Sequence, residues 1–310
     1  MRTIGLAGTP IFAHELTAMD VSKPARKRNG FQERVSADAT ARFPAESGRY
    51  HLYISHACPY SARTVLARCV KRLEDVVSMS CLDPVRGPDG WVFGPGEHAD
   101  PLNGFRSLRE AYAATDPGYE GRVSVPVLWD RKTRRIVSTE SGDIMRMLGS
   151  EWNAIGGAAS IDLYPKPLRA EIDALNQWIA ERINDAVYDV GTATAQVVYE
   201  REHRKLLEAL DELEQRLAAS RFLLGNEPVE CDWRLFPTLV RFDAVYARLF
   251  KCTRQIAQMP RLWNYARELY RRPGIAATVR HDEILRHYYR SFPALNPLGI
   301  VPLLTPPAFE

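Results

Sequence analysis

Five cysteines stand at positions 58, 69, 81, 231 and 252. The count is odd, the spacings are wide and no CxxC occurs, so neither a dithiol redox pair nor a zinc ribbon is indicated. Four of them read as small buried apolar residues. Cys58 reads differently because of its neighbours, His56-Ala57-Cys58-Pro59-Tyr60-Ser61-Ala62-Arg63. Proline suits the first position of a helix, where a missing N–H costs nothing. Cys58 then falls at the N-cap, facing free backbone N–H groups and the positive end of the helix dipole. A thiol so placed is favoured as the thiolate, which is the attacking form. Arg63, one turn on, either supports that charge or anchors the helix. With no second cysteine nearby, a mixed disulfide at Cys58 must be cleared by an external thiol. In the cytoplasm that thiol is glutathione.

Two further stretches fit this chemistry. Pro126, in Ser124-Val125-Pro126-Val127-Leu128, is either a strand-edge residue or, as is common in units that resemble thioredoxin, a cis proline, which is the expectation here and would turn the backbone of Val125 toward a peptide-like ligand. Glu140 and Ser141 precede the helical run Gly142-Asp143-Ile144-Met145. Ser141 is either an ordinary N-cap or the start of a set of N–H donors for a carboxylate. Glu140 can take an ammonium group. A γ-glutamyl group carries both charges, so the three stretches together read as a glutathione site.

The elements that must hold these residues are legible in the periodicity. Residues 50–55 and 75–82 read as strands, with a helix over 61–73 between them. Residues 84–121 are rich in Gly, Pro and Asp and read as a long loop or insertion, a kind of segment that is often functional. "RVSVPVLWD" and "RRIVST" read as two further strands, and "SGDIMRML" as a short helix. This order gives a small α/β unit with a mixed sheet over 50–150. After Pro165 and Pro167 only helical stripes follow: Leu168, Ile172, Leu175, Ile179 and Ile183, then Leu206, Leu210, Leu213 and Leu217. "CDWRLFPTLVRFDAVYARLF" reads as one buried helix bearing Pro237. The division expected is an arm at 1–49, the α/β domain with its insertion, an all-helical domain at 151–290 and a tail at 291–310. The arm carries a basic patch, Lys23, Arg26, Lys27 and Arg28, read as solvated.

Length and composition exclude other classes. The chain has 310 residues, 45% hydrophobic, enough for two cored domains. Its 41 basic and 38 acidic residues nearly cancel, so no nucleic-acid partner is expected. No apolar run reaches the roughly 18 residues of a membrane span, and a cytoplasmic protein is expected. His281 and His287 are out of phase for sharing a metal and read as a solvated or pocket-rim face. No other metal-ligand cluster is apparent, and no metal cofactor is expected.

The chain resembles the glutathione transferase superfamily, and within it the Xi class, the glutathionyl-hydroquinone reductases. The resemblance spans about Tyr50 to Pro302. It rests on "GRYHLYIS", the Ala57-Cys58-Pro59 triplet, "GWVF", "RVSVPVLWD", Glu140-Ser141, "DLYPKPLRAEIDALNQWI", "NDAVY", "DWRLFPTLVRFDAVY", "FKC", "HYYRS" and "NPLGIVP". It implies an α/β thioredoxin-like N-terminal domain, an all-α glutathione transferase C-terminal domain and a homodimer. It implies glutathione as co-substrate and a glutathionylated aromatic as substrate. The implied reaction reduces glutathionyl-hydroquinones through a Cys58 mixed disulfide, releasing hydroquinone and glutathione disulfide. By the same resemblance Trp91, Arg122, Val125, Glu140 and Ser141 hold glutathione. Tyr188 and one of Tyr288 and Tyr289 border the aromatic pocket. Two other functions remain open on the sequence: an omega-like thiol transferase or dehydroascorbate reductase, and a non-catalytic aromatic-ligand-binding protein.

The chain departs from the class pattern at four places. Tyr60 and Ala62 stand where the class usually has Trp and His, and Asp189 and Thr192 follow Tyr188 in place of a basic residue and an aromatic. These bear on the substrate more than on the chemistry. Val229 replaces a usual capping threonine, so Asp232 is expected to take over the helix start.

Overall fold

The structure, a computed structural model, describes residues 30–303 and 309. The basic patch at 23–28 lies outside them. Strand β1, Tyr50–Ile54, is buried along its whole length, as its unbroken apolar and aromatic run requires. It pairs in parallel with β2, Ser78–Cys81. On its other side it pairs antiparallel with β3, Val127–Asp130. Strand β4, Arg135–Ser138, closes the order β2-β1-β3-β4. Helix α1, Pro59–Val70, provides the parallel crossover from β1 to β2. It packs on α3, Ser141–Ser150.

The segment expected as a long loop contains a helix, α2, Leu108–Thr115. Its signal is short but physical. The Glu110 carboxylate accepts the Ser107 N–H at 3.1 Å, half of a capping box. Leu108, Ala111 and Tyr112 are buried on one face. Eight residues carry too few apolar turns to stand out among the surrounding Gly, Pro and Asp. The strand expected over "RVSVPVLWD" is shorter than read, because Arg122–Pro126 leaves the ladder. In the described part of the expected arm, Val35 and Phe43 are buried in the core and Glu33 donates its N–H to Val137 at 3.0 Å. That segment lies along β4, bridging Gln32 to Ser138.

The rest of the chain is helical: α4 Arg169–Ile179, α5 Ala186–Gly191, α6 Gln196–Arg216, α7 Glu230–Arg241, α8 Pro260–Tyr270 and α9 His281–Ser291. Helix α4 continues into a π turn at Ala180–Asn184. The long helix expected through Phe250 is α7, followed by a second π turn at Phe242–Tyr246. At the start of α7 the Asp232 carboxylate accepts the N–H groups of Val229 at 2.8 Å and Leu223 at 3.0 Å, and the Tyr265 hydroxyl at 2.9 Å. Val229 offers no acceptor, and Asp232 ties down the helix entry as expected. Burial pushes the Asp232 carboxyl up to about 6.

The α/β and helical parts are joined by buried polar contacts. Glu230 on α7 is 1% exposed and binds Arg146 of α3 at 2.9 Å, Arg234 at 2.6 Å and Asn176 of α4 at 2.9 Å. A buried carboxylate requires such pairing. Arg234 in turn lies against Gly142, where an added Cβ would stand 2.6 Å from its guanidinium. Glycine leaves room for that approach to the first turn of α3, where a side chain would make the Arg234 guanidinium shift.

Candidate active site

Cys58 is the N-cap of α1 and Pro59 its first helical residue, as the sequence requires. No side chain caps this end. Pro59 has no N–H, so the first-turn donors begin at Tyr60. The Cys58 thiol does not fold back on the helix; Sγ lies 4.0 Å from the Val125 carbonyl oxygen. The Val125–Pro126 bond is cis. The loop leading to it is held by Tyr112, whose hydroxyl donates to Ser124 O at 2.9 Å and accepts the Ser124 N–H at 3.1 Å.

Cys58, Val125 and Pro126 open into a cavity of about 580 Å³. Trp91, Arg122, Glu140 and Ser141 line the same cavity, so every residue expected to hold glutathione converges there with the thiol. Glu140 is the N-cap of α3 and Ser141 its first helical residue. Ser141 is therefore not the cap, and no side chain satisfies the first-turn donors of α3. Trp91 is held by His287, whose ring stacks on it at 5.3 Å and 13°. Burial pushes the His287 imidazole down to about 4. The neutral ring donates from Nδ1 to the Pro84 carbonyl at 2.6 Å. His287 is thus buried packing for Trp91 and not a solvated residue, because α9 turns this face inward.

The tyrosines separate. Tyr188 and Tyr288 bring their hydroxyls to 2.6 Å, and Tyr246 reaches Tyr288 at 2.9 Å. Burial raises the ionisation of all three well out of the physiological range, so they act as neutral hydrogen-bonding phenols. Tyr289 is not part of this group; its hydroxyl donates to Ala244 O at 3.1 Å. Adjacent helical residues point apart. The tyrosine cluster does not line the 580 Å³ cavity. Tyr60 does, and its hydroxyl is bound to Asp185. The Arg63 guanidinium sits 4.8 Å over the Tyr60 ring. It is buried, which pushes it down to about 10. Of the other departures from the class pattern, Ala62 faces Phe236 and Arg241, away from the thiol cavity. The Thr192 hydroxyl binds Tyr188 O at 2.7 Å.

Similarity to known proteins agrees with this geometry. The Glutathione S-transferase N-terminal domain family matches residues 57–151, and its C-terminal domain family matches residues 196–268. Glutathionyl-hydroquinone reductase YqjG of Escherichia coli is 43% identical over 286 residues, covering 89% of this chain and 87% of that protein. Glutathionyl-hydroquinone reductase PcpF of Sphingobium chlorophenolicum is 42% identical, covering 85% of each. A Xi class glutathione transferase structure from Natrialba magadii superposes with a TM-score of 0.89 at 41% identity, covering 93% of this chain and 91% of that one. This chain belongs to the Xi class of the glutathione transferase family. The glutathione-bound structure of the Escherichia coli protein superposes with a TM-score of 0.85 over 88% of this chain.

Several residues of this Xi-class site escaped the sequence reading. Arg241, 2% exposed, donates to Ala57 O at 3.1 Å and His56 O at 2.7 Å, the two carbonyls just before Cys58. Its signal was a charge inside the apolar run "PTLVRFDAVY", since an arginine is rarely buried unless paired. Tyr246 sits in the same run. Arg86, Tyr119 and Gly121 line the cavity without any local signature. Glu97, His98 and Glu283 also meet, with ligand atoms within 4.8 Å of one another. The Arg280 guanidinium lies 3.4 Å from both carboxylates and supplies the cation there. Their wide spacing in the chain hid the cluster. Among the described residues no helix is long and apolar enough to cross a membrane.

Proposed function

We propose that this protein reduces glutathionyl-hydroquinones with glutathione, using Cys58 as the nucleophile. The observation that carries the reading is the Cys58 thiol at a helix start, 4.0 Å from the carbonyl before a cis proline. The similarity to two glutathionyl-hydroquinone reductases supports it.

The Cys58 thiolate attacks the glutathione sulfur of the substrate. A Cys58–glutathione disulfide bond forms and the sulfur–aryl bond breaks. The electron pair stays on the aryl carbon, which takes up a proton and leaves as hydroquinone. A second glutathione thiolate then attacks the glutathione sulfur of the mixed disulfide, releasing glutathione disulfide and the Cys58 thiolate. In this reading the free N–H groups at the start of α3 receive the γ-glutamyl carboxylate and Glu140 its ammonium. Val125 pairs with the glutathione backbone, Arg122 faces its glycyl carboxylate, and Trp91 covers it. Tyr188, the partly exposed member of the tyrosine cluster, meets the aromatic ring, and the buried Tyr288, held by Tyr246, orients its hydroxyl. Tyr289, tied to Ala244, holds α9 in place. The protein acts in the cytoplasm as a homodimer, and sedimentation in solution counts its chains.

Mass spectrometry after treatment with glutathione disulfide tests the covalent step: the adduct is expected at Cys58, and an adduct only at another cysteine defeats the reading. Activity on a glutathionyl-hydroquinone, compared with dehydroascorbate, separates this function from an omega-like reductase.

A further inference from the structure

The charges of the thiol cavity do not balance against a single glutathione. Among its lining residues the cations are Arg86 and Arg122, and the carboxylate is Glu140. In the reading above, Glu140 takes the γ-glutamyl ammonium, the start of α3 its carboxylate, and Arg122 the glycyl carboxylate. Every charge of that glutathione is then matched, and Arg86 is left over. No described residue pairs with the Arg86 guanidinium by a hydrogen bond or ion pair. The residue is only half-buried, and none of its unpaired nitrogens is sealed off from solvent. An open guanidinium on a cavity wall is a ready partner for a carboxylate.

The backbone around Arg86 is fixed. Its N–H donates to Ser291 Oγ at the end of α9 at 2.9 Å. Two residues earlier, the Pro84 carbonyl accepts from His287 on the same helix at 2.6 Å. His287 stacks on Trp91, so one loop, pinned to α9, carries both Arg86 and the Trp91 that covers bound glutathione. The tyrosines assigned to the aromatic substrate do not line this cavity. Arg86 therefore belongs to the glutathione side of the site. The reaction brings a second anion to that side. The resolving glutathione must reach the mixed disulfide at Cys58 as a thiolate, with two carboxylates and one ammonium of its own.

We propose that Arg86 docks this second glutathione, binding one of its carboxylates while its sulfur attacks the mixed disulfide. The proposal rests on the reading of Cys58 as the nucleophile. The sulfur–sulfur bond to Cys58 breaks, the bond of glutathione disulfide forms, and Cys58 departs as the thiolate. Arg86 thus serves the second half of the reaction and not the first.

The test separates the two halves in the full-length protein. The Cys58–glutathione adduct is made with glutathione disulfide, freed of excess reagent, and mixed with glutathione or with 2-mercaptoethanol, a thiol that has no carboxylate. Peptide mass spectrometry follows the loss of the adduct. Arg86→Met is expected to slow the reaction with glutathione about 10-fold, the consequence of losing one charge-assisted hydrogen bond. The reaction with 2-mercaptoethanol should change less than about 2-fold. Arg86→Lys should recover part of the loss, and added salt should narrow the gap between wild type and Arg86→Met. Hydroquinone release in a single turnover of a glutathionyl-hydroquinone, without free glutathione, should agree within about 2-fold between wild type and Arg86→Met. Equal slowing with both thiols, an unchanged glutathione step, or a comparable loss in the single turnover overturns the inference. A wild-type protein that releases no hydroquinone defeats the reading of the reaction instead, and the adduct made from glutathione disulfide still judges Arg86.

Discussion

The two ends of α1 place the same residue type in opposite settings. At the N-terminal end Cys58 borders uncapped N–H donors, the Val125 carbonyl before the cis proline and the buried Arg63 cation. At the other end Cys69 sits in the last turn, where burial, and then the nearby Glu74 charge, push its thiol up. The anchors differ too. Arg241 reaches across from α7 to two carbonyls ahead of Cys58. Lys71, just past the helix, donates to Ile161 O from a loop of the chain. Gly157, with φ of +81°, lets that loop close on Lys71 O, where a Cβ would stand only 2.1 Å away. A cysteine's chemistry follows from which helix end it occupies and what holds that end.

The sharpest break between the two ends is catalytic. Cys58→Ala should lower turnover of a glutathionyl-hydroquinone by about 10³-fold or more, because the nucleophile is gone. Cys69→Ala should stay within about 2-fold. Steady-state kinetics of the two variants decides it, and comparable losses would erase the distinction.

The anchors should differ next. Arg241→Met leaves the carbonyls of His56 and Ala57 without this donor. Unmet buried groups cost about 1–3 kcal/mol each, so a loss of about 3 kcal/mol or more is expected in urea unfolding. Lys71→Met removes one donor and should cost about 1 kcal/mol.

The N-terminal end should also respond to pH. Burial pushes His51, His56 and His287 each down to about 4. Between about pH 6.5 and 4 the unfolded chain binds these protons and the folded chain does not, so folding weakens as pH falls through that window. Asp232, raised to about 6, takes up its proton in the folded state first and offsets one of the three. These four groups by themselves contribute a slope of about 2 kcal/mol per pH unit near pH 5. Removing His287 as His287→Phe should flatten it, and an unchanged slope would show that this histidine does not carry the linkage.

The smallest effect separates two neighbours on α9. Tyr288→Phe should lower kcat/KM for a glutathionyl-hydroquinone about 10-fold, the value of the one hydrogen bond that orients the Tyr188 hydroxyl. Tyr289→Phe, which loses only the bond to Ala244, should change it less than 2-fold.

The sequence by itself determined the elements and the local chemistry. The run Tyr50–Ile54, the Cys58-Pro59 helix start and the helical stripes are short-range patterns, written in propensity, capping and periodicity, whereas the cis proline after Val125 was expected from the likeness to thioredoxin-like units. Val125, Glu140 and Ser141 were legible because they stand at the ends of such elements, whereas Trp91 and Arg122 entered only through the resemblance to the Xi class. Tertiary structure decided the rest. Only packing brings Arg241 to Ala57 across 184 residues, joins Tyr188, Tyr246 and Tyr288, and turns His287 inward against Trp91. Helix α2 needed its contacts with the sheet to be stable at eight residues. The cavity beside Cys69 is made by four separate segments of the chain. A gap between segments leaves no mark in the sequence of any one of them, because it exists only where their surfaces fail to meet.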